Sequence, residues 1–168
     1  DLVIVTSGIL HRESELQPEK TLQALSASAM SEVFAVNTIG PALIAKHILP
    51  AMRKNGKTVF AAISARVGSI SDNRLGGWIS YRASKAALNM VIKTLSIEQT
   101  RRRPNSILVS LHPGTVDTAL SKPFSAGVPE NRLFTPEHSA TCLLKVIDGL
   151  DVADSGGFFA WDGAEIAY

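Results

Sequence analysis

Apolar positions along the chain follow two periods. Short, unbroken aliphatic runs stand at Leu2–Val5, Thr58–Ile63 and Ser106–Leu111, each closed by a Ser or a Pro-Gly pair. Runs of that length, rich in β-branched residues, predict strands buried on both faces. Between them, apolar residues recur three and four apart. Residues 28–53 carry Met30, Val33, Phe34, Ile44, Ile48 and Met52, are interrupted by Gly40-Pro41 and stop at Asn55-Gly56. Residues 78–102 form a long Ala-rich helical stretch that ends before Pro104. A third helix is expected from Thr135-Pro136-Glu137, with Thr as cap and Pro at the first helical position, through Ala140, Leu143, Leu144 and Ile147 to Gly149. The aromatic segment 157–161 reads as a last short strand.

Strands alternating with helices, with no internal repeat or linker, predict an α/β class with a mainly parallel sheet and helices on both faces. Residues 1–168 read as one domain. Residues 64–77 and 115–135 are left as loops. The second is long for a compact domain and is expected to act as a lid, in which Leu120, Phe124 and Leu133 cover an apolar ligand. A plain surface loop docked by the same side chains is the other reading.

Composition narrows the classes. With 45% hydrophobic and 19% charged residues the chain is an ordinary globular one, and a formal charge of +2 leaves no electrostatic footprint for nucleic acid or an anionic membrane. The short basic run Arg101–Arg103 reads as cations closing a helix at the negative end of its dipole. Cys142 is the sole cysteine, so no internal disulfide is available, and its place in an apolar helical pattern predicts a core residue. No uninterrupted apolar stretch approaches the ~18 residues of a membrane span, and a cytoplasmic setting is expected.

Candidate chemistry starts with Tyr81 and Lys85, four apart near the start of a helix and therefore on one face. An ammonium beside a phenol stabilises the phenolate, which predicts a Tyr81 pKa lowered toward working pH. Chance also produces Tyr-x-x-x-Lys, so the pair alone is a weak signal. Pro41 adds a second feature: lacking an N–H, it leaves the Asn37 carbonyl without its usual helical partner and kinks the helix. A merely bent core helix would look the same.

The run Tyr81-Arg82-Ala83-Ser84-Lys85-Ala86-Ala87-Leu88-Asn89 resembles the active-site helix of the short-chain dehydrogenase/reductase family. Three further motifs fall in order around it. Val36-Asn37-Thr38-Ile39-Gly40-Pro41 is similar to the segment bearing the family's catalytic Asn, and His112-Pro113-Gly114-Thr115-Val116-Asp117-Thr118 to its Pro-Gly segment. The serine region departs from pattern. Ile63-Ser64-Ala65-Arg66-Val67-Gly68-Ser69 places Ala65 where the family's substrate-orienting Ser stands, leaving Ser64 or Ser69 as substitutes. Residues 64–89, with the Asp72-Asn73-Arg74 and Gly76-Gly77-Trp78 clusters, look most like the C-factor and carbonyl-reductase-like branch, and Trp161-Asp162-Gly163 agrees.

The resemblance implies an incomplete Rossmann-like, doubly wound domain of about four strands and an NAD(P)-dependent oxidoreductase acting on a small carbonyl or alcohol. Tyr81 would be the acid/base, Lys85 would hold the nicotinamide ribose, and Asn37 would organise a proton relay. Gly8, Pro113, Gly114, Val116 and Thr118 would border the nicotinamide. No metal is implied. The Gly-rich turn that takes the cofactor's pyrophosphate is missing, since the twelve Gly residues never fall as Gly-x-Gly. The chain would then begin at the family's fourth strand, expose that strand's apolar edge, and be inactive without the preceding half. The resemblance also implies a homo-oligomer through the helices at 28–53 and 78–102. The alternative function is a non-catalytic interaction or signalling module on the same fold.

Overall fold

The computed structural model describes residues 1–168, the side chain of Glu130 excepted. In chain order the elements are β1 (Leu2–Val5), α1 (Ala27–Phe34), α2 (Gly40–Ile48), β2 (Thr58–Ile63), α3 (Ile79–Arg102), β3 (Ser106–His112), β4 (Thr115–Val116), β5 (Leu133–Phe134), α4 (Pro136–Gly149) and β6 (Phe158–Ala160). The main sheet has the order β1-β2-β3-β6, and every pair in it is parallel. Helices cover both faces, as the alternation of strands and helices predicts.

Period-two alternation divides the core in two. On one face Val5, Phe60, Ala62 and Leu108 meet Ala45, Leu49, Leu88 and Ile92 of the helices α2 and α3 and the turn between α2 and β2. On the other, Val59, Ala61, Val109 and Leu111 meet Leu143 and Ile147 of α4. Phe60, Leu108 and Leu111 are wholly buried, whereas Leu2, on the edge strand β1, is 46% exposed.

The helix over residues 27–51 is continuous, and its irregularity lies upstream of the expected interruption at Gly40-Pro41. Residues Ala35–Ile39 form a π-helical turn in which the Gly40 N–H donates to the Ala35 carbonyl, five residues back. Pro41 has no N–H to offer the Asn37 carbonyl, so the turn widens ahead of it. By length and composition Ala27–Ala51 could cross a membrane. Here it packs on α3 and buries the polar Asn37 and Thr38.

Basic side chains close helix ends as expected. Arg102 pairs with Glu98 at 3.4 Å, and the Arg103 guanidinium donates to the Pro50 carbonyl at 2.7 Å and to that of Met52. Thr135 caps α4, accepting from the His138 N–H at 3.2 Å.

Two expectations are corrected. Residues 115–135 are not a structureless loop, because β4 and β5 pair in parallel within them. Two-residue strands are too short to carry a periodic signal. Gly114 makes room for this pair: at φ +78° it passes so close to Phe134 that a Cβ there would lie 2.6 Å from the ring. Cys142 is only partly buried, with Sγ 3.6 Å from His138 Nε2 on the outer side of α4.

Candidate active site

The carboxyl ends of β1, β2 and β3 open into a cavity of about 760 Å³. This is where parallel α/β sheets hold ligands, since the loops leaving the strand ends splay apart there. From β1 and its loop come Ile4, Thr6, Ser7, Gly8 and Leu10; from β2, Ile63, Ser64 and Ala65; from α3, Tyr81 and Lys85; from β3 and beyond, His112, Pro113, Gly114, Val116 and Thr118. Leu120, Phe124 and Val128 of the following segment close one side, and Trp78 lines the same wall. Leu133 does not line the cavity, because it is committed to β5.

Lys85 Nζ donates to the Ile63 carbonyl at 2.9 Å and lies 5.8 Å from the centroid of the Tyr81 ring. One helical turn therefore brings phenol and ammonium into one pocket. Asn37 closes its back. Its Oδ1 accepts from the Ile9 N–H at 2.7 Å, while Nδ2 donates to the Ile9 carbonyl at 2.9 Å and to Ser84 Oγ at 3.1 Å. The amide thus pins the loop after β1 against α3. Gly8 is pressed into this corner, where a Cβ would lie 3.5 Å from Lys85 Nζ and 3.6 Å from Asn37 Oδ1.

Burial sets the ionisation. It pushes the Tyr81 phenol up to about 12 and the Lys85 ammonium down to about 8. The lowered Tyr81 pKa expected from the spacing is thereby corrected. Lys85 points at a carbonyl rather than at the phenolic oxygen, and withdrawal of the ring from water outweighs the distant charge. His112 is pushed down to about 4, chiefly by burial and secondarily by the Arg66 charge. Sequence reasoning gave His112 no role, yet its Nδ1 is buried without a partner at the cavity.

The two candidate serines separate. Ser64, at the end of β2, is 2% exposed, lines the cavity, and keeps its hydroxyl unpartnered. Ser69 lies away from the cavity: its hydroxyl donates to the Ala167 carbonyl and accepts from the Asp72 N–H at 3.1 Å. It ties the 66–72 turn to the C-terminal segment. The structure thus gathers Tyr81, Lys85, Ser64, Gly8, Pro113, Gly114, Val116 and Thr118 around one space, buries Asn37 behind it and leaves Ser69 outside it.

The chain resembles known proteins in sequence and in fold. The short chain dehydrogenase family model matches residues 1–128. The protein C-signal of Myxococcus xanthus is 37% identical over 140 residues, covering 83% of this chain and 78% of that protein. A 1-hydroxy-2-glutathionyl-2-methyl-3-butene dehydrogenase of Rhodococcus sp. (strain AD45) is 38% identical over 128 residues, covering 76% of this chain and 54% of that protein. The NADPH-bound carbonyl reductase from chicken fatty liver superposes with a TM-score of 0.83 at 32% identity, over all of this chain and 66% of that one. The carbonyl reductase Sniffer of D. melanogaster gives 0.83 at 26% identity, over 99% of this chain and 66% of that one. The chain thus spans just under two thirds of the length of both reductases. With the motifs on their expected elements and the model matched over most of its length, this chain belongs to the short-chain dehydrogenase family.

Proposed function

We propose that this chain forms the reaction side of a nicotinamide-dependent oxidoreductase whose substrate is a small, mainly apolar carbonyl or alcohol. One observation carries the reading: Tyr81, Lys85 and an unpartnered Ser64 hydroxyl line a single cavity at the carboxyl ends of parallel strands, with Asn37 buried behind it against Ile9 and Ser84. The residues fit the nicotinamide–ribose end of a cofactor. Gly8 leaves its backbone bare beside Lys85, Gly114 brings backbone to the cavity wall, and the Ser64 hydroxyl has a free donor and acceptor. When bound, the cofactor would supply a hydride from its reduced form for carbonyl reduction, or take one with its oxidised form for alcohol oxidation.

The chain's own groups handle the proton. At neutral pH a Tyr81 phenol with a pKa near 12 is protonated, so it is placed to give its proton to a developing alkoxide. Ser64 would hold the same oxygen, taking the part that Ala65 cannot. Lys85 would hold the ribose hydroxyls, and Asn37 keeps the Ile9 backbone and α3 at a fixed separation. Leu10, Leu120, Phe124 and Trp78 would exclude water from the reacting carbon. The cofactor would be NAD or NADP, and a cytoplasmic setting and a homo-oligomer through the helices at 28–53 and 78–102 belong to the same proposal.

Reduced nicotinamide mononucleotide, which lacks the adenine half, is the probe that tests it. The chain should bind it saturably by nicotinamide fluorescence, no less tightly than NADH or NADPH, and Lys85→Met should remove the binding. Absence of saturable binding, or binding indifferent to Lys85→Met, would contradict a nicotinamide site. It would favour the non-catalytic module, for which the missing serine at position 65 and the likeness to a protein named C-signal speak.

A further inference from the structure

Helix α3, which carries Tyr81, begins without a cap of its own. Helix N-caps favour Ser, Thr, Asp or Asn, whose side chains accept from the first free N–H groups. Position 78 instead holds Trp, which makes no capping hydrogen bond and sits in the left-handed region at φ 51°, ψ 45°. Gly76 and Gly77 before it also have positive φ, 64° and 66°. Glycine adopts this freely, but for a residue with a Cβ it costs roughly a tenfold loss in population. Something must hold Trp78 there.

Glu19 does so from 59 residues away in the sequence. Its carboxylate accepts from the Ser80 N–H at 3.2 Å and from the Ser80 hydroxyl, and its main-chain carbonyl accepts from the Trp78 N–H at 2.5 Å. The residue is 4% exposed. From the other side Arg82 Nε donates to the carbonyls of Gly76 at 3.1 Å and Gly77 at 3.0 Å. Glu19 therefore satisfies the helix start that Trp78 cannot, and leaves position 78 free for an indole. That indole lines the cavity, edge-on to Tyr81 with centroids 6.3 Å apart and to Phe124 with centroids 5.0 Å apart.

We propose that Glu19 is a positioning residue of this site. Through Ser80 and the Trp78 backbone it fixes the left-handed turn that aims the indole at Tyr81 and Phe124, and so sets the apolar wall beside the proton donor. This deepens the oxidoreductase reading and rests on the cavity being the reaction site. Its test needs neither cofactor nor turnover, so the two can fail separately.

The chain holds two indoles, Trp78 and Trp161, each giving one Nε1–H signal in a ¹⁵N-labelled sample, and Trp78→Phe assigns them. Glu19→Ala should shift the Trp78 signal and leave that of Trp161 in place, with a docked-indole population about tenfold lower. Glu19→Gln, which retains an acceptor for the Ser80 N–H, should restore the signal. A plain cap would lower the urea midpoint and move neither indole, and that result overturns the proposal. If Glu19→Ala loses its signal dispersion, Ser80→Ala takes its place, since it removes only the hydroxyl's bond. It should shift the Trp78 signal the same way by less, and an unmoved signal there is equally fatal.

Discussion

Lys85 is the residue whose environment differs most from its spacing. At 2% exposure its ammonium is held down to about 8 from an ordinary 10.5. The unfolded chain therefore binds this proton more strongly than the folded one, and stability rises with pH between about 8 and 10.5. Below that window the cost of the buried charge is on the order of 3 kcal/mol. Tyr81 acts in the opposite sense. With its pKa raised from 10.0 to about 12, the fold keeps a proton that the unfolded chain releases, so stability falls from pH 10 upward. Urea unfolding across pH 7 to 11 should show a maximum near pH 10, and Lys85→Met should erase the rise while keeping the fall. A flat profile below pH 10 in the parent would mean that Lys85 is hydrated.

At this scale the sequence shows that Tyr81 and Lys85 share a face, because one helical turn dictates it. It does not show the sign of the phenol's shift, which depends on burial by segments far away. Choosing between Ser64 and Ser69 likewise needs the partners of each hydroxyl. Glu19 was out of reach, since its partners begin about sixty residues later and no local pattern links them.

Among the elements, the long ones were legible and the short ones were not. Strands β2 and β3 and helices α3 and α4 stand close to the limits read from period and caps, because each carries enough apolar positions to set a face. The π turn at Ala35–Ile39 replaces a kink at Pro41, and β4 and β5 arise from tertiary packing against Gly114. Exposed apolar residues then identify the outer faces of two helices. Ile39, which ends the π turn, and Leu43 of α2 lie one turn apart, Met90 and Ile97 lie two turns apart on α3, and all four are at least half exposed. In the proposed homo-oligomer a second copy would cover these faces. Sedimentation should give a concentration-dependent dimer, and Met90→Glu with Ile97→Glu should leave a monomer of unchanged circular dichroism. A parent that stays monomeric at high micromolar concentration would contradict the dimer.

For the whole molecule, the sheet ends on β1, whose only partner among the described residues is β2. Both carbonyl reductase structures extend beyond the 66% of their length that this chain covers. Within the chain, the strand order and cavity bring Tyr81, Lys85 and Ser64 together, while no Gly-x-Gly occurs to take a pyrophosphate. That division of labour was visible in the motifs, since each is a local run; the cavity's apolar wall was not, since it gathers Trp78, Leu120 and Phe124 from separate segments.

The most direct measurement is carbonyl reduction at saturating reduced nicotinamide mononucleotide, which has no pyrophosphate for a Gly-rich turn to hold and so bypasses the expected cause of inactivity, comparing the chain with Tyr81→Phe. Removing the proposed proton donor should slow the reaction by about 10²- to 10⁴-fold and leave the probe's affinity unchanged. A Tyr81→Phe chain that keeps its rate would show that the proton comes from elsewhere.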